Sequence, residues 1–187
     1  MNNPEYVKID DRKYKMNTDY RNILKLDEIA KEDISEYEKM LAFIYIMYGE
    51  AGLENSNDYE RLINNIFVFI QGRPSARKST NKVVERDMDY QQDMNLIISS
   101  IWSEYGIDIT KEKIHWWTFF DLLNGLSSEC ALNRIREIRT KDLSKIKNKE
   151  ERDTYIELKE IWSLNKTAEM TEEQKRSSEE FYKNFVL

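Results

Sequence analysis

The sequence is poor in cysteine, proline and glycine. Cys130 is the only cysteine, which excludes an internal disulfide and suits a reducing compartment. Two prolines and five glycines among 187 residues argue against a loop-rich or all-β fold. No apolar run reaches the roughly 18 residues of a membrane span, and the polar, acidic N-terminus has no signal-peptide core. We therefore expect a cytoplasmic protein that makes no use of a membrane.

Catalytic and metal-binding signatures are missing as well. His115 is the only histidine, and no HxxxH or CxxC pattern completes a metal site. The sequence has neither a GxGxxG nor a GxxxxGK phosphate loop, and it has no GxSxG nucleophile elbow. We therefore expect a protein that is not an enzyme and that uses no metal and no cofactor.

Two groups of polar residues still call for an interpretation. His115 precedes Trp116 and Trp117, so a structural histidine at the edge of the core is a better interpretation than a ligand or general base. The carboxylates of Asp87, Asp89 and Asp93, near Glu85 and Glu104, could suggest a metal site, since Asp89 and Asp93 lie one helical turn apart. Helix caps and solvated charges are the simpler interpretation, because acidic residues are common in first turns.

Charged and apolar residues together dominate the composition. Charged residues make up 34% of the chain and hydrophobic residues 40%, which is typical of long amphipathic helices with solvated outer faces. The net charge of −6 favours solubility and argues against general nucleic-acid binding. Only residues 5–16 alternate with the period of strands, and they predict a β-hairpin that turns at Asp10 and Asp11. The fold class we predict is all-α, with about six or seven helices and this N-terminal hairpin, over residues 1–164.

The richest aromatic stretch spans residues 102–126, with three of the four tryptophans. Gly106 is expected to end the preceding helix and Thr110 to cap the next one. The periodicity predicts a central helix from Lys111 to Asn124, apolar in two adjacent rows and buried on most of its circumference. We expect a structural hub around this helix, composed of Trp102, His115, Trp116, Trp117, Phe120 and Trp162.

Helices on both sides of the central one follow from apolar periodicity and from capping residues. In the second of them, Asp33 and Glu36 predict a capping box. Two adjacent apolar rows follow, one of Tyr37, Leu41, Ile44 and Tyr48 and one of Met40, Phe43 and Met47. The predicted helices are Asp19–Ala30, Ile34–Tyr48, from the Asn57 cap to the stop at Gly72, from Val84 or Asp87 to Tyr105, from Ser127 or Ser128 through Ile138, and Lys149–Ser163.

A basic loop is predicted at residues 73–82. The segment contains four basic residues and no acidic, aromatic or large apolar residue. It could be a solvated connector, or it could contact phosphates or an acidic protein surface. In the second case the candidate partner-binding residues are Arg73, Arg77, Lys78 and Lys82.

Residues 165–187 are predicted to form a linker and a last, very polar helix that opens at Thr171. The few apolar residues of this helix lie near its end, so we expect weak docking and a possible appendage. Phe181 and Phe185 are its candidate partner-binding residues.

Four stretches together resemble the bacteriophage gene-product-fifteen family. They are NTDYRNILKL (17–26), DYQQDMNLIISSIWSEYGIDI (89–109), IHWWTFFDLLNGL (114–126) and IREIRTKDLSKIKNKEERDTYIELKEIWSL (135–164). Their order and spacing also match, and the hairpin resembles the N-terminus of the family. Residues 165–187 extend beyond the resemblance. The family has no associated catalytic residues to carry over.

The resemblance implies a role in building the phage tail, since the family is encoded near the major tail and tape-measure genes. It implies most specifically a tail assembly chaperone that binds the tape-measure protein, with other tail proteins as further partners. A structural virion component, such as a tail completion or connector subunit, is the alternative. A nucleic-acid-binding regulator using the basic loop ranks below both because of the negative net charge. The resemblance leaves the oligomeric state open.

Overall fold

The computed structural model of the protein describes residues 3–72 and 86–165. Over these ranges the chain is mostly helical, with eight α-helices after an antiparallel hairpin, which confirms the predicted fold class. The elements are β1 (Tyr6–Ile9), β2 (Arg12–Lys15), α1 (Tyr20–Ala30), α2 (Glu36–Tyr48), α3 (Glu50–Leu53), α4 (Tyr59–Ile70), α5 (Met94–Tyr105), α6 (Trp116–Asn124), α7 (Ala131–Thr140) and α8 (Lys149–Ile161).

Contacts divide these residues into two compact units. The first unit contains residues 3–72 and 113–120, and the second contains residues 86–112 and 121–165. The chain passes from the first unit to the second inside α6, between Phe120 and Asp121. That residues 1–164 form one domain stays a prediction.

In the first unit, α2 packs on α1, α3 and α4, and the hairpin adds its inner face to the same core. The hairpin pairs Tyr6 with Lys15 and Ile9 with Arg12, and it turns at Asp10 with φ of 51°. The core of this unit is apolar, as the pattern predicted. Its fully buried side chains are Leu26, Ile44, Met47, Leu62, Ile63, Ile66 and Phe119.

The buried carboxylate of Asp58 ties the hairpin to the helices. It accepts hydrogen bonds from the Tyr14 hydroxyl at 2.6 Å and from Arg12 Nη1 at 2.9 Å. The hydrogen bond from Tyr14 and the Arg12 charge hold the pKa of Asp58 below its ordinary value, against the opposing effect of desolvation. Burial, with help from the same hydrogen bond, raises the pKa of Tyr14. The ionised carboxylate is therefore the form that stabilises the fold.

In the second unit, α7 packs against both α5 and α8. Ile97 and Ile101 of α5 and Leu132 of α7 are fully buried. Ser100 is buried with them, and its hydroxyl accepts the N–H of Leu132 at 3.2 Å. The backbone at the start of α7 therefore has a partner inside the core, as a buried polar group requires.

Several helix starts differ from their predictions. The capping box of α2 uses Ser35 and Glu38 rather than Asp33 and Glu36, with reciprocal bonds of 3.2 Å and 2.9 Å. The start of α7 is capped by the sulfur of Cys130, which accepts the N–H of Asn133 at 3.4 Å. Local periodicity locates a helix, but the choice among neighbouring capping residues depends on the tertiary path of the chain.

The start of α5 is also later than predicted, at Met94. The Asp89 carboxylate accepts the N–H groups of Gln91 and Gln92, at 2.9 Å and 2.8 Å, and holds a turn there instead of a helix. Asp89 therefore caps a local turn, which agrees with the interpretation of this residue as a cap rather than a metal ligand. The alternative start at Val84 lies outside the described residues.

Candidate functional site

The central helix α6 begins at Trp116, five residues later than predicted. Asp108 accepts both the N–H and the hydroxyl of Thr110, at 3.1 Å and 2.5 Å, so Thr110 closes a turn rather than capping a helix. The hydrogen bond from Lys111, followed by that from Thr110, lowers the pKa of Asp108 to about 2. The carboxylate thus remains ionised in all but strong acid, and it keeps this turn closed.

The segment just before α6 is extended because it pairs with the start of α1. Tyr20 N–H donates to the carbonyl of Ile114 at 2.9 Å, and Trp116 N–H donates to the carbonyl of Thr18 at 2.7 Å. These two bonds use backbone groups that an earlier helix start would need for itself. The helix can begin only where this pairing ends.

His115 caps α6. Its Nδ1 accepts the N–H of Trp117 at 3.1 Å, and its Nε2 lies 3.0 Å from the carbonyl oxygen of Pro4. Because Nδ1 accepts, the network assigns the proton to Nε2, which donates to Pro4. Both ring nitrogens are therefore occupied by backbone groups. Among the residues that the structure covers, no three His, Cys, Asp or Glu side chains gather as a metal site would require.

Trp116 and Trp117, which follow His115, donate hydrogen bonds to carbonyl groups at the end of α4. Trp116 Nε1 donates to the carbonyl of Ile70, and Trp117 Nε1 donates to the carbonyl of Phe69, both at 2.9 Å. Carbonyls in the last turn of a helix have no partner within the helix. The Trp117 ring also stacks on the Phe69 ring, with centroids 5.7 Å apart. Trp116 packs near Phe120 at 5.8 Å, so the aromatic cluster lies within the first unit.

Burial of α6 is narrower than predicted. Trp116, Phe119 and Leu123 are buried, and the other apolar residues of the helix are half-buried. Only three residues of this nine-residue helix are buried, so the prediction of burial on most of its circumference is wrong. Helices α2 and α4 bury more residues than α6 does.

The two remaining tryptophans of the expected hub lie in the second unit. Trp102 is 54% exposed, so its placement in a buried hub is wrong. It occupies a face of α5 that the second unit does not need for its core, which is filled from Ile97 and Ile101. Trp162 is half-buried, and its carbonyl accepts from Arg139 Nε at 2.6 Å.

Arg139 and Asp93 form an ion pair inside the second unit, and their side chains are only 6% and 2% exposed. The pair is bidentate, with distances of 2.7 Å and 2.8 Å, and Arg139 also donates to the carbonyl of Asp87 at 3.0 Å. The interpretation of Asp93 as a solvated charge is therefore wrong. Nothing in its local sequence signals the pairing, because Arg139 is 46 residues away along the chain.

The predicted partner-binding residues belong to two segments, the basic loop and the last helix. Arg73, Arg77, Lys78 and Lys82 of the basic loop lie outside the described residues, as do Phe181, Phe185 and the predicted last helix. Their roles stay predictions.

Helix α2 exposes aromatic side chains in addition to those it buries. From Met40 to Tyr48 every residue is apolar. The inner face of α2 buries Phe43, Ile44 and Met47, whereas Tyr37 is 62% exposed and Tyr45 is 53% exposed. The prediction that Tyr37 lies in the same core-facing row as Ile44 and Tyr48 is wrong: Ile44 and Tyr48 are buried, but α1, α3 and α4 leave the side of the helix that carries Tyr37 uncovered. We name Tyr37, Leu41 and Tyr45 the outer stripe; Leu41 is half-buried between the two tyrosines.

The chain segment that contains the outer stripe is strongly acidic, and three of its acidic residues, Asp33, Glu36 and Glu38, lie within four residues of Tyr37. Residues 27–60 contain ten acidic and two basic side chains, a net of −8, which exceeds the net charge of the whole chain. Some of this charge is neutralised, as where Arg12 meets Asp58. The acidic residues are Asp27, Glu28, Glu32, Asp33, Glu36, Glu38, Glu50, Glu54, Asp58 and Glu60, and the basic ones are Lys31 and Lys39.

An open groove lies between the end of α7 and the start of α8. Both signs of charge line it, including Lys141, Lys145 and Glu137. No catalytic arrangement is evident there. None of the helices in the described ranges has the length and apolar character that crossing a bilayer requires.

These features define a small helical protein whose aromatic cluster around α6 stabilises the fold. Its helices also expose aromatic side chains, as proteins that bind other proteins do. The chain belongs to the bacteriophage Gp15 protein family, which it matches over residues 1–164. The resemblance found in the sequence is confirmed. The protein is thus a phage structural or morphogenesis protein, with other phage proteins as the partners that its family suggests. No curated protein and no solved structure matches it.

Proposed function

We propose that the protein is a non-enzymatic tail assembly chaperone, which binds the tape-measure protein in the cytoplasm of the infected or lysogenic host cell. Tape-measure proteins are long helical chains that need protection until the tail tube forms around them. A folded helical protein with an exposed apolar face can bind such helices, and its acidic exterior would keep the complex dispersed.

The observation that carries the proposal is the pair of exposed tyrosines on α2 of a phage-family protein. A helix that is apolar around its circumference is normally covered, and Tyr37 and Tyr45 are not. Tyrosine is common at binding surfaces because its ring is apolar and its hydroxyl tolerates water. The occupied ring nitrogens of His115 and the mixed charges of the open groove also favour contact over catalysis.

Co-expression with the tape-measure protein encoded nearby tests the proposal. We expect the tape-measure protein to stay soluble in the presence of this chain and to co-purify with it. A tape-measure protein that precipitates equally with and without this chain, and that leaves no trace in the pull-down, would contradict the proposal.

A structural virion component is the second candidate. It is favoured by exposed apolar side chains in the second unit as well, since Trp102 is 54% and Ile161 70% exposed. A permanent subunit contacts its neighbours through more than one surface. Mass spectrometry of purified particles separates the two candidates, because a chaperone is absent from finished virions and a subunit is present in stoichiometric amount.

A further inference from the structure

We propose that the outer stripe of α2 docks an amphipathic helix of a partner protein, whose apolar face is flanked by lysine or arginine. Only the identity of that partner, the tape-measure protein, rests on the function proposed above. The docking surface itself is inferred from spacing, exposure and charge.

The spacing of the stripe suits a helical partner. Tyr37, Leu41 and Tyr45 follow one another by four residues, so they form one row along the helix, about 12 Å long. Three anchors at this spacing match the way one amphipathic helix lies against another. A tyrosine side chain buries roughly 200 Å² when it is covered, and Tyr37 and Tyr45 are 62% and 53% exposed. More than half of that area therefore remains for a partner at each position.

Ile34 extends the apolar surface beyond the start of α2. It directly precedes the capping residue Ser35, a position from which an apolar side chain often packs on the fourth residue of the helix. That residue is Lys39, which pairs with Glu36 at 3.2 Å instead. Ile34 is therefore left 41% exposed, near the same end of the helix as Tyr37.

Charge distinguishes among the possible occupants. Near Tyr37 the chain is acidic, since Asp33, Glu36 and Glu38 outnumber Lys39 there. A second copy of the chain would bring the same acidic residues against them, and like charges in close apposition oppose association. An anionic membrane is disfavoured on the same ground. The basic loop at residues 73–82 has the right charge but no large apolar side chain to cover the tyrosines. A helix with an apolar face and basic flanks satisfies both requirements.

Substitution of both tyrosines tests the surface without disturbing the fold. Tyr37→Gln/Tyr45→Gln keeps good helix formers at exposed positions, so unfolding midpoints should stay close to those of the wild type. Val68→Gln is the matched control, because Val68 is 64% exposed on α4 of the same unit. Circular dichroism on the full chain checks that all variants fold.

Two synthetic helical peptides of 21 residues serve as probes, with the same leucine face and with flanks of either lysine or glutamate. We expect the lysine-flanked peptide to bind the wild type and Val68→Gln, with an affinity that falls as salt increases. The double tyrosine variant should bind it at least about tenfold more weakly, and the glutamate-flanked peptide should bind far less. Equal binding of both peptides, or equal binding to all protein variants, would overturn the proposal. So would a concentration-dependent dimer that the double substitution abolishes, since it would make a second copy the occupant.

The tape-measure protein itself is the second probe, and it separates this inference from the proposed function. Binding that is lost in the double variant and kept in Val68→Gln supports both. Binding that survives the double substitution refutes the docking surface and leaves the chaperone role standing. Binding of the lysine-flanked peptide alone, with no binding of the tape-measure protein, supports the surface and refutes the partner.

Discussion

Replacing Asp93 by asparagine removes one charge of the ion pair inside the second unit. The side chains of Asp93 and Arg139 are 2% and 6% exposed, so water cannot reach the guanidinium to compensate for the lost carboxylate. Asp93 makes no side-chain cap bond to α5, so the change leaves the helix cap unaffected. Asp93 Oδ2 also accepts the backbone N–H of Asp89 at 3.0 Å, and the single oxygen of asparagine can still serve that bond. The substitution therefore measures chiefly the cost of leaving Arg139 charged and buried beside a neutral amide.

Loss of one partner from a buried ion pair costs about 3–5 kcal/mol. Arg139 keeps its bonds to the carbonyls of Trp162 and Asp87, at 2.6 Å and 3.0 Å, which places the expected cost near the lower limit. For a chain of this size, about 3 kcal/mol corresponds to a fall of roughly 6–12 °C in the melting temperature. That is a large part of the stability of an ordinary domain.

Asp87→Asn is the matched control. Asp87 pairs with Arg136, which lies on α7 as Arg139 does, but the side chains of Asp87 and Arg136 are 26% and 35% exposed. An exposed pair contributes about 0–1 kcal/mol, and the carbonyl of Asp87 that Arg139 uses is unchanged. Calorimetry and urea unfolding at pH 7 measure both variants. Equal losses for the two variants, or a loss below about 1 kcal/mol for Asp93→Asn, would refute the argument that burial makes the Asp93 pair decisive.

Three further substitutions test the first unit, each measured by urea unfolding. Asp58→Asn should lower the unfolding midpoint at pH 7. Because folding depresses the pKa of Asp58, its contribution is present above the ordinary value of 3.8 and is lost as the pH falls below it, so the difference from the wild type should shrink by pH 3. Gly52→Ala should cost about 1–3 kcal/mol, since the added Cβ would lie 2.7 Å from Ile44 Cγ2. Trp117→Phe should cost about 1 kcal/mol, because it removes the indole donor to the Phe69 carbonyl, which keeps only the backbone N–H groups at the end of α4, such as that of Gly72 at 3.1 Å. A neutral effect of either of the last two would show that the chain relaxes around the site.

Apolar periodicity predicted most of the architecture. Helix α1 begins within one residue of its predicted start at Asp19, which turned out to be the cap. The hairpin, the end of α5 at Gly106 and the order of the helices also follow from local sequence. These features depend on residues a few positions apart, so a single chain contains the information needed to find them.

Features that depend on distant partners were missed. Periodicity alone extends α6 back to Lys111, and only the pairing of Ile114 with Tyr20 stops it. The pairing of Asp93 with Arg139 was missed for the same reason, because the two residues are 46 positions apart in the sequence. The outer stripe was missed for another reason: α2 is apolar on both sides, and a pattern that is apolar all round does not tell which side will be covered. The excess of apolar residues on α2 was nevertheless a signal that one of its sides could remain exposed.

The most direct test of the central claim is photo-crosslinking from the outer stripe in cells that produce the phage. A photoreactive amino acid replaces Tyr45 in one strain, and Lys25, an exposed residue of α1, in a control strain. We predict a crosslink to the tape-measure protein, identified by mass spectrometry, from position 45 and none from position 25. Equal crosslinking from both positions, or none from position 45 while tails still assemble, would contradict the account.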